Sequence, residues 1–167
     1  MGALSVATIY ISLGSNINRE ENTRAGIKAL QQVFGELILS SVYESEAVGF
    51  NGDVFYNMVI ACEASAPVHE TNLILRDIED AHGRDRSTPK FSSRTLDLDL
   101  LLYDELILDE NGLKLPRDEI LKNAFVLCPL AEIAPDLKHP EMGISYKELW
   151  SRFDKGKEKL KPVDFSF

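Results

Sequence analysis

Cysteine is scarce in this 167-residue chain: there are two, Cys62 and Cys128. Each lies inside an apolar run (NMVIACEA, FVLCPLAEI) without CxxC spacing, which excludes a disulfide framework or a zinc knuckle and suits buried thiols in a reducing compartment. No apolar run approaches the length of a membrane span, and the opening MGALSVATIYISLG lacks a basic start. The expectation is a cytoplasmic protein with no membrane partner. Positive charge is the other shortage. Eighteen Lys and Arg against 27 Asp and Glu give a net charge of −9, which argues against a broad phosphate-attracting surface and hence against a nucleic-acid partner. There is no internal repeat and no low-complexity block, and the length suits a single domain, 1–167.

What is present alternates between strand and helix patterns. VATIYISLG reads as a buried strand closed by a turn at LGSN, residues 13–16. A helix capped by Asn18 or Asn22 follows, with Ala25, Ala29, Leu30, Val33 and Phe34 as its apolar stripe and Gly35 as its stop. LILSSVYES and VFYNMVIACEA read as two neighbouring strands. Pro67 opens a second helix with Val68, Leu73, Leu75 and Ile78 on its apolar face, ending at Gly83. TLDLDLLLY is the fourth strand. This order predicts an α+β, ferredoxin-like βαββαβ core with an antiparallel sheet and its helices on one face. A C-terminal cap should follow: a hairpin at Asn111-Gly112, a loop at Pro116, a turn or helix at FVLCPLAEIAP and a short helix near Tyr146 to Phe153. The lysine-bearing stretch from about 155 to 167 is expected to be poorly ordered.

Two carboxylates stand out in SSRTLDLDLLLYD. Alternation sends Leu96, Leu98 and Leu100 to one face and Asp97 and Asp99 to the other, the face that a ferredoxin-like sheet leaves uncovered. Their backbones lie roughly 6 to 7 Å apart, so the carboxylates can converge on one or two hard cations. An ordinary solvated strand face would show the same alternation. Just upstream, Arg84, Arg86, Lys90 and Arg94 face a single acid, Asp85, in a chain otherwise acidic. Arginine forks match phosphate oxygens, so this loop suits a polyphosphate, although loop charges also serve solubility.

YISLGSN, FYNMVI, IEDAHGRDR, SRTLDLDLLLYD and FVLCPLAEIAP, in that order from about residue 7 to about 150, resemble the 6-hydroxymethyl-7,8-dihydropterin pyrophosphokinases of folate biosynthesis. The resemblance implies transfer of pyrophosphate from ATP to the hydroxymethyl group of a reduced pterin, releasing AMP, by a monomeric enzyme. It implies two Mg²⁺ ions on Asp97 and Asp99, with Arg84 and Arg94 contacting the phosphates. Arg86 belongs to the same basic loop, and Glu79 would lie on the nucleotide side. It places the pterin between Phe125 and Phe91, with Phe55 nearby, Asn57 bonding its ring, and Ser45 and Val48 completing the pocket.

The chain departs from the family pattern at several positions. Phe91-Ser92-Ser93 stands where Trp-Gly-Pro is usual, Pro116-Arg117 where Pro-His is usual, Asn123-Ala124 where an arginine precedes the pocket phenylalanine, and Ser45-Glu46 where Thr-Pro is usual. Arg117 is therefore a candidate replacement for the missing histidine and arginine on the nucleotide side. The altered pterin loop leaves open an enzyme with another acceptor, and a module that binds a small ligand without chemistry remains the alternative of a different class.

Overall fold

The computed structural model describes residues 6–45, 54–83, 95–155 and 160–167. Alternating Ile9, Ile11 and Leu13 commit β1 (Ala7–Ser15) to a buried face, and α1 (Arg19–Phe34) follows. Asn18 stands at the helix entrance at φ 42° without a side-chain cap bond, while the Asn22 amide donates to the Ile17 carbonyl at 2.6 Å. The LGSN segment is not a turn, because Leu13, Gly14 and Ser15 continue the strand.

The next extended stretch divides into β2 (Ile38–Leu39) and β3 (Val42–Ser45). Ser40 marks the break. Its N–H donates to the Val59 carbonyl at 3.0 Å and its hydroxyl accepts from the Val59 N–H at 2.9 Å, so one residue supplies both ladder bonds. β4 (Phe55–Ala64), α2 (Val68–Ala81) and β5 (Asp97–Tyr103) complete the core. The cap contributes the hairpin β6 (Leu108–Glu110) and β7 (Leu113–Leu115), then α3 (Glu119–Lys122), α4 (Ala124–Ile133), α5 (Tyr146–Arg152) and β8 (Leu160–Val163). At the hairpin tip Asn111 and Gly112 take φ 53° and 76°, the paired left-handed conformation that such a turn requires.

The main sheet runs β5-β1-β4-β3-β8, with β2 also on β4, and every pairing is antiparallel. Its first four strands, crossed by α1 and α2, form the ferredoxin-like core. Leu96, Leu98 and Leu100 pack with Ile9, Ile11, Met58 and Ile60 beneath Leu30 of α1 and Leu75 of α2. The α1 stripe is rotated from the one read in the sequence: Thr23, Gly26, Ile27 and Leu30 are buried, while Val33 is half exposed. Gly26 explains the phase. A Cβ there would stand 2.8 Å from Leu96 Cδ1 and 3.0 Å from Leu13 Cδ1, so a side chain at 26 would have to push these methyl groups aside. In α2 the buried set is Thr71, Leu75, Ile78 and Glu79, and Leu73 points outward.

One expectation about the rest of the fold is corrected. The second face of the sheet is partly covered, because Val59, Leu101 and Leu102 pack against Ile120, Val126, Leu127, Leu130 and Tyr146 of the cap. Within the C-terminal stretch, β8 pairs with β3 from Val42↔Val163 to Ser45↔Leu160. A strand bonded on one side only tolerates Pro162 and Lys161, the residues that hid it from a pattern reading. Among the described residues no helix is long and apolar enough to cross a membrane.

Candidate active site

A bulge in β5 organises the site. Tyr10 pairs with Leu102 but Ile11 pairs with Leu100, so Leu101 is an extra residue and both Leu101 and Leu102 turn toward the cap. The bulge also leaves the Leu101 carbonyl available to the Arg117 N–H, which donates to it at 3.0 Å. That bond brings Arg117, just past the hairpin, back to the strand that carries the aspartates.

Across β4, β1 and β5, antiparallel register aligns the side chains of this face in rows. Asn57, Gly14 and Asp97 make one row, and Val59, Ser12 and Asp99 the next. Asp99 is a third exposed, and its Oδ1 lies 3.4 Å from Arg117 Nη2. Burial first, and then the neighbouring charge of Asp97, push the Asp99 carboxyl up to about 7, against the opposing pull of Arg117. Glu79 and Glu119 add to the upward push. Arg117 Nε is 3.1 Å from Glu119 Oε2, but the approach is too poorly aligned for a hydrogen bond. Among the described residues the site is thus an acidic concentration on which one guanidinium leans, an arrangement suited to a cation.

Among the described residues no three or more His, Cys, Asp or Glu side chains are set to hold a metal ion. The donor set is a carboxylate pair one strand step apart. That fits Mg²⁺, which takes one or two carboxylates and completes its shell with water and phosphate oxygens. Glu79, in the last turn of α2, is 4% exposed and accepts the Leu98 N–H at 2.8 Å. It therefore anchors the strand between the two aspartates from the side.

The other end of the row is polar and preorganised. Asn57 Nδ2 donates to Ser45 Oγ at 2.6 Å, with both residues buried. Gly14 leaves the space between this pair and Asp97: a Cβ on it would meet Asn57 Oδ1 at 3.3 Å and Phe55 Cδ1 at 3.6 Å. Ser15, fully buried, donates its hydroxyl to the Thr95 carbonyl at 2.6 Å and so ties the end of β1 to the start of β5.

The family described as 7,8-dihydro-6-hydroxymethylpterin-pyrophosphokinase (HPPK) matches residues 10–135, three-quarters of the chain and the whole of this constellation. The chain belongs to the HPPK family. It is 34% identical over 137 residues to the 2-amino-4-hydroxy-6-hydroxymethyldihydropteridine pyrophosphokinase of Aquifex aeolicus, covering 81% of this chain and 85% of that one. With the enzyme of the same name from Haemophilus influenzae it shares 36% over 141 residues, covering 82% and 88%. Among solved structures, a Plasmodium falciparum HPPK-DHPS triple mutant with pteroate superposes with a TM-score of 0.70 at 11% identity. That match covers 89% of this chain and 43% of the other, so this chain spans less than half of that polypeptide. At such identity the likeness speaks for the fold.

Within the HPPK framework the structure brings together Asp97, Asp99, Glu79 and Arg117 at one end of the row and Ser45, Phe55 and Asn57 at the other. Phe125 lies half-buried in the first turn of α4, the helix packed over β4. Arg84, Arg86, Arg94, Phe91 and Val48 lie outside the described residues, as do Glu46, Ser92 and Ser93. Sequence reasoning missed Ser12, Gly14 and Ser15. The signal for Ser12 and Gly14 was the two-residue period of YISLGSN, which carries one small face through a glycine that looked like a turn; Ser15 falls on the opposite face, in line with Ile11 and Leu13.

Proposed function

We propose that this HPPK-family chain transfers the pyrophosphoryl group of ATP to the hydroxymethyl group of 6-hydroxymethyl-7,8-dihydropterin, releasing AMP, in folate biosynthesis. The observation that carries this reading is the single row joining Asp97, across Gly14, to the Asn57–Ser45 pair. Metal-type carboxylates and a ring-binding amide stand on one open sheet face, the separation of roles that a two-substrate transfer needs.

In the reaction the hydroxymethyl oxygen attacks the β-phosphorus of ATP. The bond from that phosphorus to the α,β-bridging oxygen breaks, AMP leaves with that oxygen, and the hydroxyl proton passes to solvent. Asp97 and Asp99 would hold two Mg²⁺ ions, whose positive charge would offset that of the phosphate oxygens. Asn57, fixed by Ser45, orients the pterin, and Phe55, Phe91 and Phe125 with Val48 wall its ring. Arg84, Arg86 and Arg94 take the phosphates, and Glu79 holds the strand on the nucleotide side. Arg117 supplies there the positive charge that family members draw from a histidine and an arginine. The protein works as a cytoplasmic monomer and as one domain.

Phosphorus NMR of the protein with ATP, Mg²⁺ and the pterin tests the proposal, with Asp97→Ala as control. AMP and a pyrophosphorylated pterin, absent from the control, are the expected products. ATP binding without AMP would redirect the reading to another acceptor, the direction in which Glu46 points, or to a module that binds without chemistry.

A further inference from the structure

The last eight residues lie beyond the stretch that matches the family, yet they are built against the pterin end of the row. β8 pairs with β3 through Ser45↔Leu160, so the strand carrying Ser45 is held from outside as well as by β4. Beyond β8 the chain crosses α1. Arg24 Nε donates to the Ser166 carbonyl at 2.8 Å, and its guanidinium carbon lies 4.6 Å over the Phe165 ring. Phe165 in turn meets Tyr56 edge-on, with ring centroids 6.0 Å apart at 88°.

Tyr56 sits between Phe55 and Asn57 on the strand and faces the opposite side of the sheet. Arg19 also meets Tyr56, with its guanidinium carbon 4.1 Å over the ring. Arg19 also donates to Glu44 Oε1 at 3.0 Å and to the Val54 carbonyl at 3.1 Å. It thereby bridges the two chain segments, residue 44 and residue 54, from which the pterin-side residues extend. The buried Ser45 and Asn57 cannot shift relative to one another without disturbing this under-layer, because their strand neighbours Glu44 and Tyr56 are cross-strand partners within it.

We propose that residues 160–167 are a positioning element for acceptor binding, acting through Ser45 and Tyr56. The inference rests on the pterin reading above. It assigns the tail no contact with substrate and predicts an effect on one substrate only, since Asp97, Asp99 and Arg117 lie on the strand and loop at the far edge of the sheet.

The experiment compares the full chain, a version ending at residue 159, and Phe165→Ala. It measures nucleotide affinity with α,β-methylene-ATP and Mg²⁺, and then pterin affinity at saturating nucleotide. The shortened chain should bind the pterin about tenfold more weakly and the nucleotide within about twofold of the full chain, with KM for pterin rising and kcat nearly unchanged. Phe165→Ala, which keeps β8, should give a smaller loss in the same direction and guards against a shortened chain that does not fold. Equal pterin affinity in all three proteins would overturn the proposal. So would parallel loss of both affinities in Phe165→Ala, which would reduce the tail to general support. A full chain that binds nucleotide but no pterin would show instead that the acceptor reading had failed, and the positioning role with it.

Discussion

One face of one sheet carries two chemistries. Under α4, Val59, Leu101 and Leu102 are almost wholly excluded from water. A residue or two along the same strands, Ser12, Asn57, Asp97 and Asp99 present only polar groups. Neither half is dictated by strand propensity. The boundary is the β5 bulge, which turns two consecutive leucines toward the cap and gives Arg117 a carbonyl to hold beside Asp99. An apolar lid over half a sheet makes the other half a place where charges are partly desolvated yet open to ligand, and partial desolvation strengthens electrostatic catalysis.

The comparison predicts that the two halves fail differently. Asp97→Ala or Asp99→Ala should lower turnover by about a thousandfold, the scale of lost metal stabilisation, without a loss of cooperative melting. Turnover assays paired with thermal melts check this, and a collapse of the fold would erase the distinction between the halves. Leu101→Ala should do the reverse. Deleting a fully buried leucine costs about 2–5 kcal/mol in denaturant unfolding, while nucleotide affinity at permissive temperature stays close to that of the parent. Arg117→Ala, at the boundary, should weaken ATP binding by about tenfold, the order of one charge-assisted hydrogen bond. Unchanged affinity by calorimetry would remove Arg117 from the nucleotide side.

A further effect is on pH dependence. Asp99 binds its proton more tightly folded, at about 7, than in an unfolded chain, at about 4. The folded state therefore holds the extra proton between those values, and the metal-free protein should lose stability as pH rises across that window. Above about 7 the slope should vanish. Denaturant melts in chelator across the window should show that fall, and Asp99→Asn should flatten it, whereas Leu101→Ala should leave the slope in place.

The sequence made the alternation of Asp97, Leu98, Asp99 and Leu100 plain, because a two-residue period admits one division into faces. The bulge was invisible in LLLY, where every register presents leucine on both sides. Gly14 was read as a turn because glycine is the common turn residue; here it lies within a strand, where Asn57 and Phe55 approach closely from across the pairing. The rotated stripe of α1 has a related cause, since a glycine and a threonine do not register as an apolar face even when fully buried. The cap over the second face depends on contacts between distant segments, and no local pattern reports those.

Glu79 has a consequence for the protein in company with its own copies. β5 is the outer strand of the sheet, and an outer strand offers unpaired amides to any other extended chain. With its carboxylate on the Leu98 amide, the α2 side chain fills the bond that an intruding strand would need. The strand most valuable to the chemistry is thereby kept from becoming a template for aggregation.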